Sequence, residues 1–90
     1  MESEKEREIL IDVKKMLVRD LRLKISPESI KDNDRIFGAG LGLDSLDALE
    51  LVIALQKNFG VKIPDANIGA KVLVSVDSIV KYIMDSQENV

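Results

Sequence analysis

Ninety residues with a net charge of −3 describe one small, mildly acidic domain, not a basic nucleic-acid binder. There is no Cys and no His, which removes disulfides, thiolate chemistry and the commonest general base and metal ligand. Hydrophobic residues make up 46% and aromatics 3%, so Leu, Ile and Val must build the core, which suits packed helices. A chain this short buries roughly 60–65% of its unfolded surface, so each apolar face counts. No apolar run approaches the roughly 20 residues that span a bilayer. The Glu-rich start, through Glu8, does not read as a signal peptide, and a cytoplasmic location is the default expectation.

Ser3 followed by Glu6 forms a capping-box pattern. Ile9, Leu10, Val13, Met16, Leu17 and Leu21 then recur at helical spacing, which predicts a first helix from about Glu4 to Arg19. Lys14, Lys15 and Arg19 fall late in it, where cations suit the helix dipole. From Asp20 to Leu43 no long period survives. Ser26-Pro27-Glu28-Ser29 reads as a short helical turn with Ser26 as cap and Pro27 in the first helical position. Asp32, Asn33 and Asp34 are turn formers, and Ile30, Ile36 and Phe37 are the expected anchors of this segment. Gly38, Gly40 and Gly42 give the end of the segment the freedom to place Ser45.

Ser45 stands where an apolar-periodic run begins, as the first residue or the cap of a second helix reaching about Phe59. Free N–H groups in the first turn of such a helix favour a bound anion. Ala48, Leu51, Val52, Leu55 and Phe59 fall on one face, the stripe a bundle helix needs. Leu46, Leu49 and Ile53 form a second, surplus strip edged by Asp47 and Glu50. Either that strip docks a basic-rimmed groove, or it packs beneath the loop or the third helix. Gly60 is expected in the left-handed position that ends the helix, with Val61 as its apolar contact. Pro64-Asp65 opens a short third helix, near Asp65 to Ala70, which Gly69 weakens. Ser75 caps a fourth, whose buried stripe is Val76, Ile79, Val80 and Ile83, with Tyr82 and Met84 flanking it. Residues 86–90 read as a frayed tail. The sum is an all-α, four-helix bundle spanning residues 1–90, with a long loop between the first two helices and a short third helix.

No catalytic or metal set emerges. Ser45 has no neighbouring His, and Asp44 and Asp47 with one hydroxyl fall short of a hydrolase site. The run Leu41-Gly42-Leu43-Asp44-Ser45-Leu46-Asp47-Ala48-Leu49-Glu50-Leu51, with Phe59-Gly60 and Ile63-Pro64-Asp65 beyond it, resembles the prosthetic-group attachment motif of acyl carrier proteins. The resemblance extends from about Val13 to Ile83 and implies the carrier-type bundle. It implies that a phosphopantetheinyl transferase attaches a phosphopantetheine arm to Ser45, and that the arm's thiol holds acyl groups as thioesters. It further implies a monomeric, non-enzymatic carrier whose Asp44, Leu46, Asp47, Leu49, Glu50 and Ile53 meet acyl-chain synthases and transferases, as in fatty-acid and lipid synthesis.

Two departures point to a specialised pathway, polyketide-like, aryl-polyene-like or for a special lipid. Gln56, Lys57 and Asn58 stand where the family often has carboxylates, and 44–65 holds four acids and two lysines, a net of −2. The segment from Ala66 to Leu73 is about two residues longer than usual, with Ile68, Val72 and Leu73 added to the apolar account. The rivals are an aminoacyl or peptidyl carrier, which Leu43-Asp44-Ser45 fits less well, and an unmodified helical interaction domain in which Ser45 is an ordinary cap. A DNA-binding helix-turn-helix is disfavoured by the acids at the start of the second helix.

Overall fold

The computed structural model describes residues 4–38 and 40–88, and at Ser45 and Glu88 the backbone alone. Among the described residues four helices form: α1 (Glu4–Asp20), α2 (Ser45–Phe59), α3 (Ala66–Val72) and α4 (Val76–Glu88), with a 3-10 turn at Pro27–Ser29. No strand forms among the described residues, only isolated bridges pairing Arg35 with Ser75 and Phe37 with Leu43. α1 packs against α4, α2 and the 3-10 turn, and α3 packs against α4.

The periodic stripes meet in one core. Ile9, Leu10, Val13, Met16, Leu17 and Leu21 from α1 and its end are buried, as are Val76, Ile79, Val80 and Ile83 from α4. α2 contributes Leu51 and Leu55, with Ala54 added beyond the expected face, while Ala48, Val52 and Phe59 are half-buried. The predicted bounds of α2 hold at both ends. Gly60 stops it in the left-handed region at φ 67°, its N–H donating to Gln56 O at 3.0 Å, and Val61 is buried beside it.

Elsewhere the boundaries shift for tertiary reasons. α1 runs one residue further, to Asp20, and Leu23 N–H donates to Val18 O at 3.1 Å, the 6→1 bond of a Schellman end. Arg22 takes the left-handed residue of that turn, at φ 55°, where Gly is the usual occupant. α3 begins one residue late, because Asp65 is its cap and accepts from Ile68 N–H at 2.9 Å. It also continues through Gly69 to Val72, because Val72 and the following Leu73 are buried and anchor the end. α4 continues to Glu88, so residues 86–88 of the expected tail are helical; the Ser3–Glu6 box has its first member outside the described residues.

Ser75 does cap α4, in a reciprocal pair with Ser78. Ser78 N–H donates to Ser75 Oγ at 3.2 Å and Ser75 N–H to Ser78 Oγ at 3.0 Å. Ser26 precedes the 3-10 turn without a side-chain cap bond, although Pro27 takes the expected first position.

The long loop is fastened at several points. Ile30 and Ile36 are buried in the core and Phe37 is half-buried. Ile36 N–H donates to Val74 O at 3.0 Å, and Asp77 N–H to Asp32 O at 2.8 Å, tying the loop to the α3–α4 junction. Leu41 N–H donates to Arg35 O at 2.8 Å and Leu43 N–H to Ile36 O at 3.3 Å, which folds the last turn back on itself. Gly40 closes that turn: a Cβ there would meet the Arg35 carbonyl oxygen, with its carbon at 2.7 Å and Cα at 2.9 Å. Backbone cannot give way as a flexible side chain can. Gly40→Ala is therefore expected to cost about 1–3 kcal/mol, read as a lower urea midpoint at unchanged slope.

Candidate functional site

The loop delivers the chain to α2 at Leu43, which is buried, and Asp44, which is exposed. Asp44, not Ser45, is the cap residue, with extended backbone at φ −114° and ψ −174°. Its Oδ1 accepts from Leu46 N–H at 3.0 Å and Asp47 N–H at 3.1 Å. Asp47 Oδ2 accepts in return from Asp44 N–H at 3.0 Å, completing a reciprocal capping box. Ser45 is the first residue of the helix.

This geometry corrects one expectation. The first-turn N–H groups of Leu46 and Asp47, read from sequence as open to an anion, are already bonded to Asp44. A phosphate on position 45 would sit at the positive end of the helix dipole but between two carboxylates, with those donors spent. The box also separates two roles of Asp44. Asn caps a helix as well as Asp does, whereas Ala forfeits the bond. Asp44→Ala is expected to lose about 1 kcal/mol and Asp44→Asn to stay within a few tenths of that cap energy; thermal melts of the pair check it.

The surplus strip is open. Leu46, Leu49 and Ile53 are 77%, 64% and 57% exposed, so they do not pack beneath the loop or α3. Glu50 is exposed and Asp47 half-buried along its edge. Asp44, Leu46, Asp47, Leu49, Glu50 and Ile53 thus lie along the cap and first turns of α2, all exposed except the half-buried Asp47.

On the adjoining side of α2 lies an apolar cleft of about 590 Å³. Phe37 from the loop, Val52 from α2, Ile63 and Leu73 wall it, and Ala48 and Ala70 leave it room. Position 45 shares a helix face with Ala48, Leu49 and Val52, three, four and seven residues on, all of which line the cleft. An acyl chain entering between α2 and its neighbours is conceivable from sequence, but the cleft itself is not visible there, since its volume comes from small residues on separate segments. Among the described residues no cluster of acids could hold a metal ion, and no helix is long and apolar enough to cross a membrane.

Comparison with known proteins converges on the same segment. The family model of the phosphopantetheine attachment site matches residues 12–83. An acyl carrier protein of Campylobacter hominis is 37% identical over 82 residues, covering 91% of this chain and 98% of that relative. One from Campylobacter lari is 40% identical over 80 residues, covering 89% and 97%. One from Wolinella succinogenes is 39% identical over 75 residues, covering 83% and 92%. In fold, the chain is similar to one chain in a crystal structure of an engineered Bradyrhizobium japonicum glycine:[carrier protein] ligase complexed with carrier protein from Agrobacterium tumefaciens and ATP. That match has a TM-score of 0.69 at 20% identity and covers 84% of this chain and 96% of the other. With the attachment-site model spanning most of the sequence and close relatives matched almost end to end, the chain belongs to the acyl carrier protein family, non-catalytic proteins that carry covalently attached phosphopantetheine.

Proposed function

We propose that Ser45 is the attachment residue and that the chain presents acyl thioesters from there to biosynthetic enzymes. The observation that carries this reading is the placement of Ser45 as the first residue of α2, at the end of a fastened loop, beside an apolar cleft. The residues fit the group. Asp44 and Leu46 on either side are exposed, which leaves room for a transferase to approach the serine. Bound phosphopantetheine supplies the thiol that this Cys-free chain lacks.

The chain's own residues then have three tasks. The capping box fixes where the tether begins. The Leu46, Leu49 and Ile53 strip gives partners an apolar contact, and Asp44, Asp47 and Glu50 steer them; rim charges act mainly on encounter rate and choice of partner. The cleft shelters part of the cargo, each buried methylene gaining about 0.8 kcal/mol. Its 590 Å³ lies within the range of small-molecule sites.

The pathway is a specialised one, for a polyketide-like, aryl-polyene-like or special-lipid product. Lys57 in place of a carboxylate and the extended α3 support that reading. The test is an intact-mass measurement after incubation with coenzyme A and a broad-specificity phosphopantetheinyl transferase. One added arm per chain is expected. An unmodified mass from a folded sample would leave the helical interaction domain as the better account. Use of this protein by a generic fatty-acid elongation system as efficiently as its own carrier would contradict the specialised role.

A further inference from the structure

We infer that the partner docking on α2 has a divided rim: basic residues toward the Ser45 end and at least one carboxylate at the far end. This rests on docking through the α2 strip and adds the charge pattern of what docks. Alongside the exposed strip, a shallow depression of about 610 Å³ runs between the end of α1 and α2. Along α2, Asp47 and Glu50 line it toward the start, Ile53 lies midway and Lys57 lies toward the end; Arg19 and Arg22 border it from the end of α1. Asp47 and Lys57 are ten residues apart, about 15 Å along the helix. That exceeds the roughly 10 Å over which exposed charges act at 0.1 M salt, and Glu50, seven residues from Lys57, stands at about that limit, so the two ends present largely separate fields.

The cationic end is built and held. Arg19 Nε donates to Asp20 Oδ1 at 2.8 Å, and Arg19 Nη2 to Asn58 Oδ1 at 2.8 Å. Asn58 Nδ2 donates to Asp20 Oδ2 at 3.0 Å and to Ala54 O at 2.9 Å, tying the end of α1 to α2. The Arg19 hydrogen bond holds the Asp20 carboxyl below its ordinary pKa against an opposing effect of burial; the Asn58 bond and the Arg19 and Lys57 charges add to it. Asp20 is one anion among Arg19, Arg22 and Lys57, so two cations remain in excess. Arg22 sits at φ 55°, in the left-handed region that favours glycine.

An all-basic rim would meet Asp47 and Glu50 favourably but oppose Lys57 and Arg22. A carboxylate opposite Lys57 relieves that repulsion and also fixes which way round the partner lies along α2.

The test uses the intact holo-protein and a carrier-dependent condensing enzyme whose apolar docking patch has an entirely basic rim. A second form of the enzyme has the rim cation nearest the far end of α2 changed to glutamate. Dissociation constants come from NMR titration at 50 and 500 mM salt. The wild-type carrier is expected to bind the glutamate form about fivefold more tightly at low salt, and about equally at high salt. Arg22→Gly combined with Lys57→Gln should abolish the preference. Arg22→Gly suits the backbone at that position, so the fold is preserved. Equal binding of both forms, with Leu49→Arg abolishing both, would overturn the divided rim while leaving docking through α2 intact. If Leu49→Arg weakens neither complex, or no complex forms, the docking reading falls along with it.

Discussion

Ser45→Ala is expected to eliminate arm addition entirely while changing stability by less than about 0.5 kcal/mol. The two halves of that result have separate causes. Alanine leaves position 45 without a hydroxyl to attack the phosphate of coenzyme A. The helix, however, takes its cap from Asp44, whose carboxylate holds the N–H groups of Leu46 and Asp47. Alanine is the best helix former and is well placed as a first helical residue. Had Ser45 been the cap, the same change would cost about 1 kcal/mol. Intact mass after the transferase reaction, paired with a thermal melt, reads both halves. An arm on the alanine variant would remove Ser45 from the account, and a large drop in melting temperature would contradict the assignment of the cap.

Ile36→Ala should have the largest effect on stability, a loss of about 2–5 kcal/mol. Its side chain is wholly buried in the core, and its backbone joins the loop to Val74 and Leu43. Domains of ordinary size keep about 5–15 kcal/mol in total, so this one change removes much of the margin. Because Leu43-Asp44-Ser45 is delivered by that loop, arm addition should slow even at temperatures where the variant stays folded. Ile53→Ala provides the contrast. Ile53 is 57% exposed, and its loss should stay within about 0.5 kcal/mol. Urea midpoints of the two variants check the difference. Equal losses would mean that the strip on α2 is covered after all.

The contrast between Ile36 and Ile53 also marks what could be read from residues alone. Both are apolar residues in suitable positions, and Ile36 was legible as an anchor. The spacing of Leu46, Leu49 and Ile53 showed a second strip on α2, but whether a neighbour covered it depended on where the loop and α3 lie. Local chemistry fixed the ends of α2, since Gly60 and the acids around Ser45 act within a few residues. It left the choice of cap open between adjacent positions, and hence the state of the first-turn amides. The reach of α3 past Gly69 depended on burying Val72 and Leu73 against other segments. The bonds from Ile36 to Val74 and from Asp77 to Asp32 span forty residues or so and leave no periodic trace. The cleft is a sum of small residues brought from distant parts of the chain.

Those long-range bonds make the connection between α1 and α2 part of the bundle's cooperative unit. The amides of Ile36 and Asp77, one in each segment, are sealed by the other segment's half of the junction. Opening either one exposes both to solvent deuterium, so their exchange should accelerate together under mild denaturant. What a secondary-structure diagram draws as a long loose connector is, in its breathing, a fifth element of the fold.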